Sequence, residues 1–277
     1  MRTTLAACAA AACVCALANA SDDIVTPPFA PAGQEAPGFE RASAIVPSTG
    51  RNYTRYVSVV DPRRLSVELP DPQGCEKLVH ATETAKEHGC VVATNGAFFD
   101  MKTGRRNHCI GNVVANDTVV QLPGGDGANF GLDKANGRFV IGFASAATLK
   151  AQPVTDVVQG RGWLVRDGKS WIDRSPDLNM STKFATEKAP RTAIGVYPNG
   201  TAALVVVDGS ETVKEGLGLD EFAEILAEQV GVLHAINIDG GGSSVAVLHG
   251  KVFSKPTCVD TPVPICERAM ATVVCGR

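Results

Sequence analysis

Residues 235–252 read AINIDGGGSSVAVLHGKV, and the rest of the chain is interpreted outward from this stretch. An apolar strand, His234–Ile238, leads to Asp239, and three glycines, two serines and a second apolar strand follow. Glycine adopts backbone angles closed to other residues and lets a ligand approach the main chain, and successive amides in such a turn can bind an anion. The stretch predicts a phosphate cradle at Gly240–Ser243 beside a reactive carboxylate, Asp239, with a flexible hairpin loop as the alternative.

Other residues with the same chemistry follow further predicted strands. Asp208 comes directly after the apolar run Leu204–Val207, and two carboxylates at strand ends can share acid–base or nucleophilic work. The alternative for Asp208 is an ordinary Asp-Gly turn. Arg191 and Arg268 each stand beside a predicted strand, where a guanidinium suits phosphate, although surface arginines are common. Asn95 is predicted to orient a sugar hydroxyl.

Turn-forming pairs divide most of the chain into short strands. Five hairpins are predicted, at Asn116-Asp117, Asn136-Gly137, Asp167-Gly168, Pro198-Asn199-Gly200 and His249-Gly250. Because Leu204–Val207 is apolar and β-branched, we expect a central strand there. A helix is predicted over Glu76–His88, and a second has an apolar stripe at helical spacing, formed by Leu219, Phe222, Ala223, Leu226 and Val230. The pattern predicts one α+β domain with a mixed β-sheet, many hairpins and two main helices.

The N-terminal residues predict the compartment. Arg2, the apolar run Leu5–Ala18 and the small-x-small sequence Ala18-Asn19-Ala20 are typical of a signal peptide over 1–20. The apolar run is shorter than the roughly 20 residues that cross a bilayer, so we expect no membrane span after cleavage. Residues 21–49, rich in Pro, Ala and Gly, are predicted to form a flexible arm, and residues 50–277 to form the folded domain. The protein is therefore expected in the secretory pathway, lumenal or extracellular.

Charge and cysteine usage exclude several classes of protein. With Lys+Arg 26 against Asp+Glu 29, the chain lacks the basic excess of a nucleic-acid-binding protein. No C-x-x-C pair occurs and the histidines are scattered, so no metal or cofactor is predicted. Six cysteines lie beyond the signal peptide and predict three disulfides whose pairing stays open: Cys75, Cys90, Cys109, Cys258, Cys266 and Cys275.

Four Asn-x-Ser/Thr triplets are candidate glycosylation sites if the host is eukaryotic, although such triplets also occur by chance. They begin at Asn52, Asn116, Asn179 and Asn199.

Taken together and in order, several segments resemble the phosphodiester glycosidase family. These are ATNGAFFD at 93–100, CIGNVVAND at 109–117, PRTAIG at 190–195, VVDG at 206–209, AINIDGGGSSVAVLHGKV at 235–252 and ERAMATVVC at 267–275. The resemblance covers most of residues 50–277. It implies hydrolysis of the glycosidic C–O bond of a sugar-1-phosphodiester, with release of N-acetylglucosamine from a phosphorylated glycan. It also implies the disulfides Cys75–Cys109, Cys90–Cys275 and Cys258–Cys266.

That chemistry gives the candidate residues their roles. A phosphomonoester leaves readily, so the reaction needs a carboxylate at the anomeric centre and fixed positive donors on the phosphate. Asp239 and Asp208 would supply the carboxylates, and Arg191, Arg268 and the Gly240–Ser243 amides the donors. Two alternatives stay open: a phosphodiesterase that cleaves the P–O bond, and a non-catalytic glycan-binding protein.

Overall fold

The computed structural model describes residues 22–33, 36–101, 108–257 and 266–277. The predicted signal peptide and Cys258 lie outside these ranges. Within them the chain forms 22 strands: β1 (Asp23–Val25), β2 (Gly38–Ile45), β3 (Asn52–Val60), β4 (Leu65–Glu68), β5 (Val79–His80), β6 (Val92–Asn95), β7 (Phe98–Asp100), β8 (His108–Ile110), β9 (Val113–Ala115), β10 (Thr118–Gln121), β11 (Asn129–Asp133), β12 (Arg138–Phe143), β13 (Asp156–Gln159), β14 (Trp163–Arg166), β15 (Lys169–Ser170), β16 (Arg191–Val196), β17 (Ala202–Val207), β18 (His234–Asn237), β19 (Ala246–Leu248), β20 (Lys251–Val252), β21 (Ala269–Met270) and β22 (Val273–Gly276).

Helices are short and few by comparison. The α-helices of the described residues are α1 (Ala81–Glu87), α2 (Ala146–Ala151), α3 (Lys183–Thr186) and α4 (Leu219–Ile225). Single turns of 3-10 helix occur at Pro62–Arg64, Ile172–Arg174 and Gly241–Ser243, and one π-helical turn, Leu226–Val230, continues α4. None of the described helices is long and apolar enough to cross a membrane.

The strands form three main sheets and two small ones. The main sheets run in the orders β1-β12-β11-β13-β9-β10, β15-β14-β18-β16-β17-β3-β2 and β20-β19-β6-β22-β4, and the small ones pair β21 with β5 and β7 with β8. Every strand pair among the described residues is antiparallel, so the predicted mixed sheet is wrong. Tight turns can join only antiparallel neighbours, and this chain is dominated by such turns.

All five predicted hairpins are present, between β9 and β10, β11 and β12, β14 and β15, β16 and β17, and β19 and β20. Their turns need residues that accept a positive φ, as Asn116 (46°), Asp117 (64°) and Gly137 (63°) do. Turn chemistry therefore determined these hairpins locally.

The core lies between the three main sheets. Strand β17 sits between β16 and β3, which confirms the predicted central strand. Its alternate residues face opposite ways: Leu204 packs into the core shared by the sheets, whereas Val205 and Val207 pack beneath α4. Because both faces are covered, the strand is apolar throughout.

The helix predictions hold in different degrees. In α4 and its π-turn, Leu219, Phe222 and Leu226 are fully buried, and Gly231 ends the segment with φ 77°. The first helix begins at Ala81 rather than Glu76, because Val79 and His80 pair with β21 instead.

The N-terminal segment is more ordered than predicted. Strand β1 pairs with β12, and the eight residues of β2 pair with β3 along their full length. Phe39 of β2 packs edge-on against Phe253, with ring centroids 4.3 Å apart. The expectation of a flexible arm over 21–49 is therefore wrong for these strands, because pairing along a sheet edge orders a segment whose composition alone indicates disorder.

Two of the expected disulfides are present. Cys75 bonds to Cys109, and Cys90, which precedes β6, bonds to Cys275 in β22. Cys266 is also disulfide-bonded. The long link ties the last strand to β6, which leads directly into the candidate site.

Candidate active site

Asp239 follows the end of β18 and lies beside Asn95, the last residue of β6. Its backbone carbonyl accepts a hydrogen bond from the Asn95 amide at 2.5 Å, and its own amide donates to Gly96 at 3.3 Å. The other end of the Asn95 side chain accepts from Thr192 at 2.9 Å and from the Val245 amide at 3.3 Å. Asn95 is 1% exposed and both ends of its side chain are bonded to the protein, so it fixes Asp239 in place, and a role toward a sugar hydroxyl stays a prediction.

The three glycines make room for other groups. A Cβ atom on Gly241 would lie 2.5 Å from Oε1 of Glu211, and one on Gly242 would lie 2.4 Å from Nη2 of Arg268. Gly240 packs against the Pro190 carbonyl, at 3.2 Å by the same measure. A carboxylate and a guanidinium thus occupy the space that side chains at 241 and 242 would fill, which explains why this loop is glycine.

The carboxylate of Asp239 is held from several sides. The Gly240 amide donates to Oδ1 at 2.9 Å, and the Ser243 hydroxyl donates to the carboxylate as well. Burial nevertheless raises the pKa of Asp239 to about 6; these hydrogen bonds and the charge of Arg268 lower it, and the charge of Glu211 raises it. A carboxyl with such a pKa can change protonation near neutral pH, as acid–base groups in enzymes do.

The predicted amide cradle is largely used by the protein itself. The Gly240 amide is bonded to Asp239, the Gly241 amide donates to Pro190 at 2.9 Å, and the Ser243 amide donates to Gly240 at 3.1 Å. An amide that is already bonded is a poor anion donor, so the expected phosphate nest is not found at these three positions. The loop instead orients Asp239 and Ser243.

Arg268 is the predicted cation that reaches the loop. Its Nη1 donates to the Ser243 hydroxyl at 3.3 Å, and Ser243 in turn bonds to Asp239. Arg268, Ser243 and Asp239 therefore form a connected chain of polar groups. A guanidinium beside a carboxylate can meet an anionic group while the carboxylate meets the atom bonded to it.

Arg191 has a different place from the one predicted. It is 4% exposed, and its guanidinium donates to the carbonyls of Leu217 at 2.9 Å, Phe184 at 3.0 Å and Glu187 at 2.6 Å. Burial lowers its pKa to about 10. The guanidinium thus holds the segments around α3 and α4 against β16, and a contact with phosphate stays a prediction.

Asp208 lies at a neighbouring strand end with both carboxylate oxygens engaged. Oδ2 accepts from the Tyr56 hydroxyl at 2.8 Å, and Oδ1 accepts from the Lys255 amide at 2.9 Å. It borders a cavity of about 830 Å³ that is also lined by Gly209 and Thr257. Asp239 does not line this cavity, but the Thr257 carbonyl comes within 3.1 Å of a Cβ placed on Gly242. The cavity therefore opens beside the glycine loop.

Comparison with known proteins shows the family to which this chain belongs. The family model described as "phosphodiester glycosidase" matches residues 88–275, which include Asn95, Asp208, Asp239 and Arg268. The chain belongs to the phosphodiester glycosidase family.

The chain is similar to two named mammalian proteins and to one solved structure. N-acetylglucosamine-1-phosphodiester alpha-N-acetylglucosaminidase of Bos taurus is 38% identical over 229 residues, 77% of this chain and 42% of its own length; the Homo sapiens protein is 37% identical over 229 residues, 77% and 43%. The chain thus spans less than half the length of those relatives. The zebrafish catalytic domain of the same name, described as auto-inhibited by its pro-peptide, superposes with a TM-score of 0.81 at 30% identity, covering 92% of this chain and 88% of that one.

One charged group at this site was not predicted from the sequence. Glu211 lies in the loop after β17, 30 positions before the glycine that it contacts, and no motif marks it. The only signal was indirect, because three successive glycines imply that something bulky lies against them. No group of three or more His, Cys, Asp and Glu side chains suited to a metal occurs within the described ranges.

Proposed function

We propose that this chain hydrolyses the glycosidic C–O bond of a sugar-1-phosphodiester, releasing N-acetylglucosamine from a phosphorylated glycan. The observation that carries the proposal is the chain of contacts from Asp239 through Ser243 to Arg268 at the glycine loop. It sets a carboxylate and a guanidinium side by side, as a bond between an anomeric carbon and a phosphate requires. The names of the Bos taurus and zebrafish relatives support the same substrate class.

The chemistry of the leaving group explains why so few groups suffice. A phosphomonoester already carries its charge on oxygen, so it needs less help from a general acid than a sugar hydroxyl does. Positive donors that meet the phosphate as its charge grows then lower the barrier most. Arg268 is assigned this role because its guanidinium lies against Gly242 of the glycine loop.

Asp239 is assigned to the anomeric carbon, where positive charge develops as the phosphate leaves. In its ionised form it stabilises that charge through space. Its bonds to the Gly240 amide and Ser243 hold it in one orientation, so that no reorganisation is needed during the reaction. Asp208 is assigned a supporting role: by bonding Tyr56 and the Lys255 amide, it holds the wall of the neighbouring cavity.

A purified protein spanning residues 21–277 tests the proposal. It would be incubated with N-acetylglucosamine-1-phosphate esters in water enriched in oxygen-18. Label in the released sugar supports C–O cleavage, whereas label in the phosphate would show the alternative phosphodiesterase. A protein that binds the ester without turnover would be the non-catalytic glycan-binding alternative.

We further propose that the protein works in the secretory pathway, lumenal or extracellular. Disulfides such as Cys90–Cys275 persist in oxidising compartments, in agreement with the predicted signal peptide. All four candidate glycosylation sites, Asn52, Asn116, Asn179 and Asn199, are exposed, and Asn179 and Asn199 each accept hydrogen bonds from the Ser or Thr two residues later through Oδ1. The Asn116 amide instead donates to Glu68 at 3.0 Å.

The N-terminal strand is assigned a role in access to the site. Ser43, Ala44 and Ile45 of β2 line the same cavity as Asp208. The zebrafish catalytic domain is described as auto-inhibited by its pro-peptide. We propose that β2 likewise narrows the approach to the site of this chain.

A further inference from the structure

We propose that Glu211 is the general base of this hydrolysis, the group that takes a proton from the water attacking the anomeric carbon. The inference rests on the proposed function, because it assigns a role within that reaction. Its first support is position: Oε1 and Oε2 of Glu211 lie 2.5 and 3.1 Å from the point where a Gly241 Cβ would stand. The carboxylate is thus one residue along the loop from the amide that holds Asp239.

The second support is that this carboxylate is not used elsewhere. No hydrogen bond or ion pair to another residue engages Glu211 in the part of the chain that the structure describes. Asp239, by contrast, accepts from the Gly240 amide and Ser243, and Asp208 accepts from Tyr56 and Lys255. A general base needs an unshared lone pair that faces water, and of these three carboxylates Glu211 alone keeps both oxygens for it.

The chain fixes this position from both sides of the loop. Ser210 and Glu215 exchange two backbone hydrogen bonds of 2.9 Å, which close a tight loop that begins beside Glu211. Gly209 packs against Pro190, and the Pro190 carbonyl accepts the Gly241 amide. The loop after β17 and the glycine loop are therefore joined through one residue, which brings Glu211 to Gly241.

Glu211 and Asp239 interact through their charges, and we assign them different tasks in the reaction. The charge of Glu211 acts to raise the pKa of both Asp239 and Arg191, so the three groups interact electrostatically. In the step assigned here, the water oxygen bonds to the anomeric carbon while the C–O bond to phosphate breaks. The electron pair of that bond goes to the phosphate oxygen, and the water proton goes to Glu211. Asp239 stabilises the developing positive charge, and Glu211 later releases its proton to solvent.

The test uses the protein spanning residues 21–277 with Glu211→Gln and Glu211→Ala, against Glu228→Gln as an exposed glutamate away from the site. General bases contribute about 100- to 10,000-fold, so kcat is expected to fall at least 100-fold in both variants with KM changed less than about threefold. Glu228→Gln is expected to match the wild type. Because azide attacks without losing a proton, sodium azide is expected to restore turnover of Glu211→Ala and to yield a glycosyl azide. It is expected not to restore Arg268→Ala.

Each outcome decides the assignment. Wild-type kcat in Glu211→Gln, with the melting temperature retained, would overturn the role of Glu211 alone. Loss of activity in a folded Glu211→Ala that azide does not restore would also exclude a general base. If Glu211→Ala does not fold, the nearly isosteric Gln variant and its pH profile decide the question. A wild-type protein that releases no sugar would overturn the proposed function itself.

Discussion

At the scale of single residues, the site depends on a carboxylate whose charge the protein does not favour. Burial raises the pKa of Asp239 from 3.8 to about 6, despite its bonds to Gly240 and Ser243. Between those two values the folded protein binds more protons at this residue than the unfolded chain does. The free energy of unfolding therefore falls as pH rises through this window.

Asp239→Asn is expected to lower kcat by about three orders of magnitude or more, because loss of a needed catalytic group has effects of that size. The melting temperature should equal that of the wild type at pH 4 and match or exceed it at pH 7.5, since the amide is never ionised. In the wild type, kcat/KM should rise with pH through a midpoint near 6. Activity within a few-fold of the wild type would contradict the assignment.

Arg268→Ala is expected to raise KM for phosphodiesters and to weaken inhibition by a phosphomonoester product, because the guanidinium beside Gly242 is assigned to phosphate. Inhibition constants measured with that product check the prediction. Arg174→Ala, which removes an exposed arginine, is the matched control. An unchanged inhibition constant would show that Arg268 does not contact phosphate.

At the scale of elements, buried polar side chains join strands to the helices and loops around the site. Arg191 begins β16 and reaches the carbonyls of Phe184 in α3, Glu187 at the end of α3 and Leu217 before α4. Glu221 of α4 is buried and bonds to Lys188 at 2.7 Å, Arg51 at 3.0 Å and Thr49 at 2.8 Å. Burial acts to raise the pKa of Glu221, but the hydrogen bonds from these donors outweigh it, and the pKa is lowered to about 2.

Arg191→Met is expected to reduce the free energy of unfolding by about 3 kcal/mol, because three buried or partly buried carbonyls lose a charged donor. KM should change little at temperatures where the variant is folded. Arg191→Lys should be destabilised in the same direction, since an ammonium cannot span three carbonyls. Urea unfolding and steady-state kinetics measure both quantities. Retained stability with a raised KM would instead indicate contact with phosphate.

At the scale of the whole molecule, the N-terminal strands β1 and β2 each pair at the edge of a sheet. Strand β2 is the edge of the seven-stranded sheet and lines the cavity beside Asp208, and β1 is the edge of the six-stranded sheet. An edge strand can be removed with the rest of the sheet still paired, although its neighbour then becomes exposed.

Removing the chain through Ile45 is expected to raise kcat/KM for bulky phosphodiesters by about tenfold or more, because it opens the cavity. Removing it only through residue 37 deletes β1 but keeps β2, and this matched variant should keep the wild-type kcat/KM. Kinetics with a small and a large ester distinguish access from catalysis. Equal constants in both truncations would show that β2 does not restrict the site.

The sequence by itself determined the features that depend on neighbouring residues. The five hairpins follow from turn residues that accept positive φ, the stripe on α4 follows from helical spacing, and Asp239 was placed at a strand end by the apolar run before it. Only the tertiary structure decided which polar groups are free. Asn95 donates to the Asp239 carbonyl 144 positions away, Arg191 donates to three backbone carbonyls 4 to 26 positions away, and Glu211 reaches Gly241 across 30 positions. Such contacts depend on how sheets pack, and no local pattern of residues encodes that packing.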